Sequence, residues 1–455
     1  MSRLVVVSNR TATPGAPRSG GLATALHDAL AESGGLWFGW SGQTVEASDE
    51  KLAHAAEDDY AFALLDLTEA DYEGYYLGYS NAALWPVLHY RVDLARFDDE
   101  AFAQYDRVNA RFARLLAPLL RDDDTVWVHD YHLMLLGREL RAAGWRGPTG
   151  FFLHIPFPSP EVFTALPQHA EIAEALAAFD LVGFQTAHDA ENFRRYLAEQ
   201  HAATPLADGV VHAFGTVLRA AAFPIGIDPD SVSAAAADWR SHPDLARLAR
   251  GIGEDALVVG VDRLDYSKGL PQRLEAFGQL IAADAALHAR VSLVQIAPPS
   301  RTEVEAYADL REQVDRIAGR INSDHADLGW IPVRYIAREY PRDKLAGLYR
   351  LARVGLVTPL RDGMNLVAKE FVAAQDPGDP GVLIVSEFAG AAEQLEEAVQ
   401  VNPYDIAAVT DALRSALEMP HGERSARWQA LRARVWREDV GWWWRGYLDA
   451  LRATR

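Results

Sequence analysis

Short, uninterrupted apolar runs separated by amphipathic stretches recur along almost the whole chain, and this rhythm constrains the fold more than any other feature. Residues 4–8, 125–129, 150–155 and 181–185 read as strands, because an apolar run without polar alternation suits a strand covered on both faces. Helical patterns cover 20–32, 133–143 and 187–199. Strand, helix and strand in series imply right-handed crossovers and parallel sheets. The rhythm restarts after a Pro- and Gly-bearing connector at 224–229, with strands at 256–261, 291–297, 333–336, 354–358 and 382–385. Helices at 270–283, 303–321 and 344–351 fall between them. Two doubly wound α/β halves joined near Gly226 fit this better than one sheet of about ten strands. The expected domains are 1–226 and 227–455. A final helix over 423–451, with an apolar face from Trp442, Trp443, Trp444 and Tyr447, is placed to strap back onto the first domain.

Composition narrows the function. The 455 residues contain no cysteine, which excludes disulfides, thiolate metal sites and a cysteine nucleophile. With 44 basic against 64 acidic residues the formal charge is −20, which disfavours nucleic acid and anionic membrane as partners. No apolar run approaches the ~18 residues of a membrane span, and residues 1–8 lack the pattern of a signal peptide. The expectation is a cytoplasmic protein.

In a doubly wound domain, ligands sit beyond the carboxyl ends of the strands, so polar groups there carry the chemistry. The usual fingerprints G-x-G-x-x-G, the Walker loop, H-E-x-x-H and G-x-S-x-G are all missing. Gly20-Gly21 opens the first helix after a strand ending Ser8-Asn9-Arg10, an arrangement that favours an anion near helix amides with Arg10 facing the cleft. A plain tight turn would look the same. Arg263 and Lys268 lie five residues apart on the loop that leads into the helix at 270. Two such cations suit a diphosphate. The most specific run is Arg361-Asp362-Gly363-Met364-Asn365-Leu366-Val367-Ala368-Lys369-Glu370. It offers Asp362 to sugar hydroxyls, the amides of Leu366 and Val367 to phosphate, and Glu370 to a ribose diol.

Other clusters have simpler explanations. Asp122-Asp123-Asp124 precedes a strand and reads as a solvated loop, and Asp228-Pro229-Asp230 reads as a helix N-cap. His129-Asp130-Tyr131-His132 lacks a third ligand at metal spacing, so no metal is assigned. Asp130 and His154, both at strand ends, are candidates for sugar hydroxyls.

Taken together, Val7-Ser8-Asn9-Arg10, Gly20-Gly21-Leu22, Leu36-Trp37-Phe38-Gly39-Trp40 and Asn81-Ala82-Ala83-Leu84-Trp85-Pro86 resemble the bacterial α,α-trehalose-phosphate synthase family. So do Trp127-Val128-His129-Asp130-Tyr131-His132, the His154 segment, 263–270 and 361–370. The resemblance runs through nearly the whole chain. It implies a retaining glycosyltransferase of the two-Rossmann-domain B type, with no cofactor or required metal. Such enzymes transfer glucose from a nucleotide-sugar, UDP-glucose foremost, to glucose 6-phosphate. Carried over by motif, Arg263, Lys268, Asp362 and His154 form the catalytic set. Gly20, Gly21, Tyr340, Met364, Asn365, Leu366, Val367 and Glu370 join them on the donor. Arg10, Tyr76 and Arg301 would grip the acceptor phosphate, with Trp85 lining the pocket and Asp130 on the acceptor sugar. The segment around Tyr340, which touches the base in the family, matches poorly and leaves UDP, GDP and ADP open. The substrates are small molecules, and the chain is expected as a monomer or homo-oligomer. The mechanism stays open between same-face attack and double displacement through Asp362. The weighed alternatives are another phosphorylated acceptor such as glycerol 3-phosphate, a non-catalytic sugar-phosphate-binding regulator, and a carboxylate-based glycoside hydrolase.

Overall fold

Apolar runs flanked by turn residues become strands because burial on both faces removes their side chains from water while ladder hydrogen bonds satisfy the backbone. The computed structural model describes residues 3–12, 21–47, 50–56, 59–253, 255–300 and 305–454. Gly20 and Arg301 therefore lie outside the described residues. The chain forms two compact units, Met1–Ile225 with Gly441–Arg455, and Gly226–Val440.

The first unit is built on one sheet. Its strands are β1 (Leu4–Arg10), β2 (Gly35–Val45), β3 (Ala53–Ala56), β4 (Tyr60–Thr68), β5 (Thr125–His129), β6 (Thr149–Phe152), β7 (Leu181–Phe184), β8 (Thr204–Pro205), β9 (Val210–Ala213) and β10 (Thr216–Ala222). They are ordered β3-β4-β2-β1-β5-β6-β7-β10-β9-β8. All pairs from β4 through β10 in that order are parallel, and β3, β9 and β8 are added antiparallel. The direction of strand succession reverses at β1 and β5, which makes their carboxyl ends a topological switch point. The helix Val440–Arg452 covers this sheet. Its Tyr447 hydroxyl donates to the carbonyls of Phe151 at 3.0 Å and Leu181 at 3.3 Å. Gly150 and Gly183 make room for it, since a Cβ on either would lie 2.3 Å or 2.6 Å from the Tyr447 side chain.

The second unit contains β11 (Ala256–Val261), β12 (Val291–Ile296), β13 (Val333–Ile336), β14 (Val354–Val357), β15 (Val382–Ser386) and β16 (Val399–Val401), in the order β13-β12-β11-β14-β15-β16. Every pair is parallel. Its switch point lies between β11 and β14. Among the described residues, no helix is long and apolar enough to cross a membrane.

Every strand expected from the apolar runs forms. Several other expectations need correction. Ten strands fill the sheet of one unit: the antiparallel additions carry polar or small residues, and the apolar runs 36–40 and 60–65 form two further strands. The helix expected over 133–143 is a short turn at Tyr131–Leu133 followed by Leu136–Ala142. The single helix over 423–451 is two, His421–Arg437 and Val440–Arg452. The helix breaks at Glu438, whose backbone turns to φ −110° and ψ 54°. Beyond the break, the Val440 amide donates to the Ile227 carbonyl at 2.9 Å. Trp443 and Tyr447 are buried, whereas Trp442 is exposed. In the acidic triplet, Asp122 and Asp123 are exposed, but Asp124 is buried and takes two hydrogen bonds from the Arg3 guanidinium at 2.9 and 2.6 Å. Asp228 caps its helix through the Ser231 amide, as read.

Candidate active site

In the first unit, the ends of β1, β5 and the loop after β6 bring Arg10, Asp130 and His154 onto neighbouring strands. Register pairs Ser8 with His129, and His129 with Phe152. Arg10 is exposed, with its guanidinium carbon 5.8 Å from the Trp40 ring centroid. Among the described residues no carboxylate pairs with it. Trp40 leans on Tyr72 and Tyr76, and Tyr76 stacks on His132 with centroids 5.7 Å apart. Tyr76 rides on a π-helix, Tyr72–Leu84, a wide turn that is rare outside functional segments. Trp85 follows directly, only 3% exposed, against His89 and Tyr131. It can present no more than an edge to a ligand.

Asp130 adopts φ 75° and ψ 165°, a region that costs a non-glycine residue of order 1–3 kcal/mol and persists only where surrounding bonds impose it. The bonds are present. Its amide donates to the Phe152 carbonyl at 2.8 Å, its carbonyl accepts from Leu133 at 3.1 Å, and Oδ1 accepts from the His154 amide at 3.2 Å. Strain is thus spent on aiming a carboxylate at a strand end. His154 places Nε2 3.0 Å from His129 Nδ1, and its Nδ1 3.4 Å from Gln185 Nε2. Burial pushes the His154 imidazole down to about 3 and His129 well below its ordinary value, so both are neutral at physiological pH.

The second unit answers with charge. The loop after β11 carries Arg263 and Lys268, then Gly269 at φ +66°, where a Cβ would sit 2.5 Å from the Thr358 carbonyl. Glycine is needed there. Lys268 Nζ donates to Asp362 Oδ2 at 2.7 Å, and Asn365 Nδ2 donates to the same oxygen at 3.1 Å. The Leu360 amide donates to the Ser267 carbonyl at 2.7 Å and binds the two loops together. Beneath them, Arg273 is fully buried and donates to Asp262 at 2.6 Å, Gln295 at 3.0 Å and Thr358 at 3.1 Å.

Asn365, at φ 71°, turns the chain into the helix Leu366–Ala374, which places the Leu366 and Val367 amides in its first turn. Glu370 lies one turn on. Burial pushes its carboxyl up, opposed by Arg342, whose Nη2 is 3.4 Å from Oε1. Met364 is 3% exposed and its carbonyl accepts from Ala391, so the Met364 side chain belongs to the core. Tyr340 is half-buried beneath the Arg338 and Lys344 cations, each 4.7 Å from its ring. It borders an apolar pocket walled by Leu245, Leu248, Ile296, Ile336 and Leu345.

Arg10, Asp130 and His154 thus lie at the carboxyl ends of β1, β5 and β6, and Lys268 and Asp362 meet at the ends of β11 and β14, whereas Tyr340 follows the edge strand β13. Gly21 begins the helix Gly21–Ser33. His129, Gln185, Arg273 and Arg342 were missed. A polar residue at the end of an apolar strand flags the first two, whereas Arg273 sits in the first turn of the helix Leu270–Ala283 and looks like a surface residue in sequence. Among the described residues, no group of three or more His, Cys, Asp or Glu side chains is placed to hold a metal ion.

The glycosyltransferase family 20 model matches residues 3–453. A trehalose-6-phosphate synthase of Sinorhizobium fredii is 47% identical over 459 residues, covering 100% of this chain and 99% of the relative. The crystal structure of a UDP-forming α,α-trehalose-phosphate synthase from Burkholderia vietnamiensis superposes with a TM-score of 0.98 at 49% identity, covering 100% of this chain and 97% of that one. Another such enzyme, from Burkholderia xenovorans and in complex with glucose 6-phosphate, gives 0.96 at 47% identity, covering 99% and 100%. The expected fold class, two doubly wound α/β domains, is the one these structures share with it. On a match that spans nearly its whole length, the chain belongs to glycosyltransferase family 20.

Proposed function

We propose that this chain transfers glucose, with retention, from UDP-glucose to glucose 6-phosphate, giving α,α-trehalose 6-phosphate and UDP. The observation that carries the reading is the cationic switch point of the second unit, where Lys268 is held by Asp362 beside the first turn of the helix Leu366–Ala374, in a chain whose relatives form UDP. In this reading Arg263, Lys268 and the Leu366 and Val367 amides take the diphosphate, Glu370 takes the ribose, and the apolar pocket beside Tyr340 takes the base. Asp362 and His154 hold the donor glucose, and Gly20 and Gly21 lie against the donor phosphates. Arg10, Tyr76 and Arg301 hold the acceptor phosphate, Trp85 lines that pocket, and Asp130 meets the acceptor sugar.

The bond from the anomeric carbon to the diphosphate oxygen breaks while the acceptor hydroxyl bonds to the same face, and its proton passes to the departing phosphate. Lys268 and Arg263 stabilise the charge that grows on the leaving group, the kind of preorganised donor that supplies the largest share of a rate enhancement. Asp362 Oδ2 already accepts from two donors, which lowers its nucleophilicity and favours same-face attack over a covalent intermediate on that carboxylate. The role of this chain's own groups is positioning and charge, and no metal enters the proposal.

Incubation with UDP-, GDP- or ADP-glucose and with glucose 6-phosphate, glucose or glycerol 3-phosphate tests the reading. We expect UDP and a non-reducing disaccharide monophosphate in equal amounts, from the UDP-glucose and glucose 6-phosphate pair. Preference for glycerol 3-phosphate, or turnover of trehalose without nucleotide, would overturn it.

A further inference from the structure

Beneath the loop that carries Lys268, four charges are packed into one buried cluster of the second unit. Lys268 Nζ donates to Asp362 Oδ2 at 2.7 Å, and Arg273 Nη1 donates to Asp262 Oδ2 at 2.6 Å. The two pairs are coupled. Burial pushes the Asp262 carboxyl up, Arg273 and then Lys268 oppose that shift, and Asp362 adds to it. Lys268 is therefore the second cation within electrostatic reach of Asp262, and two carboxylates compete for its ammonium. A buried carboxylate without a partner is costly, so it takes the next cation within reach. Arg273 stands in the way of that exchange. Its side chain is fully buried, which a guanidinium tolerates only when paired. Nη1 also donates to Gln295 Oε1 at 3.0 Å, Nε to Thr358 Oγ1 at 3.1 Å and Nη2 to the Lys268 carbonyl at 3.4 Å. A Cβ at residue 260 would lie 2.8 Å from Nη1 and 2.4 Å from Gln295 Oε1, so Gly260 leaves the room that the guanidinium occupies. Residues on or just after β11, β12 and β14 thus hold the fork in one orientation, with its charge against Asp262.

We propose that Arg273 is a positioning residue that sorts the charges of this cluster: by occupying Asp262 it leaves the Lys268 ammonium to Asp362, where it meets the donor diphosphate. The proposal rests on the assignment of Lys268 to the diphosphate made above. Without the Arg273 charge, Asp262 draws Lys268 towards itself, the more deeply buried of the two carboxylates, with side-chain exposure of 3% against 14% for Asp362. Arg273 would then govern the leaving-group cation without touching the substrate.

Three variants separate charge from shape. Arg273→Gln keeps a hydrogen-bond donor but removes the charge, and should lower kcat about 100-fold through loss of the aligned ammonium. Arg273→Lys keeps the charge and loses the fork, and should stay within about tenfold of the unaltered protein. Arg273→Gln combined with Asp262→Asn also removes the competing carboxylate and should recover to within about tenfold, a coupling that a double-mutant cycle measures. A crystal structure of Arg273→Gln should show Lys268 Nζ on Asp262 instead of Asp362, and one of the double variant should show it back on Asp362. Equal losses in the Gln and Lys variants, no recovery in the double variant, or an unmoved Lys268 in Arg273→Gln would each overturn the proposal. If Arg273→Gln alone does not fold, the double variant decides, because neutral replacement of a buried ion pair is tolerated. A folded double variant with kcat still down about 100-fold would then overturn the sorting. The position of Lys268 is read without turnover. A failed assignment of Lys268 to the diphosphate, seen as unchanged UDP affinity in Lys268→Ala, is therefore distinguishable from a failed sorting.

Discussion

At the switch point of the first unit, the groups nearest the strand ends are held by neutral partners: His154 by His129 and Gln185, Tyr76 by His132, and Asp130 by backbone amides and a strained turn. At the switch point of the second, the corresponding places are held by ion pairs, Lys268 with Asp362, Arg273 with Asp262, and Arg342 with Glu370. One topology thus supports two ways of preorganising a site. Neutral networks fix direction, because each hydrogen bond has a donor and an acceptor end. Ion pairs fix position and charge, and the carboxylate that keeps a cation in place is itself available to the ligand. In the proposed reaction the neutral network suits a sugar and the ion pairs suit a leaving diphosphate.

The most severe test of that contrast is Lys268→Ala. It should lower kcat by about two to three orders of magnitude, read by initial rates at saturating substrates, and lower the unfolding temperature because Asp362 loses its buried cation. An unchanged kcat would place the growing charge elsewhere and erase the distinction. A smaller effect is expected from Arg10→Ala, since Arg10 is exposed and lies over Trp40. Loss of a charge-assisted bond of about 1.5–3 kcal/mol corresponds to a glucose 6-phosphate KM raised roughly 10- to 100-fold, with the UDP-glucose KM and the melting temperature unchanged. If the donor KM rises equally, the division of labour between the units is wrong.

The smallest effect is one of pH. Burial lowers the Lys369 ammonium to about 7, below its unfolded value, so between that pH and about 10.5 the unfolded chain binds a proton that the native one does not. Stability should rise with pH across this window. Replacing the lysine with a residue of similar volume, Lys369→Met, should stabilise the protein by on the order of 1 kcal/mol at neutral pH, with the gain shrinking towards pH 10. The buried histidines of the first unit act with the same sign in a lower window. There, stability is lost as pH falls through their unfolded value near 6.5. Denaturant titrations of both proteins at several pH values check this, and a gain that grows with pH would contradict the assignment.

Much of this was legible in the sequence wherever one residue type has one physical explanation. Residues 256–261 and 333–336 form the strands expected of them, because continuous apolar runs have few other stable uses. Gly269 and Asn365, within the runs 263–270 and 361–370, both adopt left-handed backbone. Long-range pairing was not legible. Nothing in the sequence around Lys268 says that its ammonium meets Asp362, 94 positions away. Arg273 reads as a surface helix residue, yet it carries the hydrogen bonds that join β12, β14 and the Lys268 loop. The π-helix at Tyr72–Leu84 was also invisible, since its residues follow neither the 3.6-residue nor the two-residue period. His154 was found by its place at a strand end, while its partners come from the end of β5 and from Gln185, the residue after β7.

Tyr447 has a consequence for the order in which the protein is made. The helix that carries it belongs to the first unit but is synthesised after the whole of the second. Until it arrives, the groove over Gly150 and Gly183 has no side chain to fill it, and the carbonyls of Phe151 and Leu181 lack the hydroxyl they later accept from. A nascent chain completes its second domain first and its first domain last, the reverse of the usual vectorial order. During that interval Trp127 lacks the Tyr447 ring that it stacks on in the finished chain.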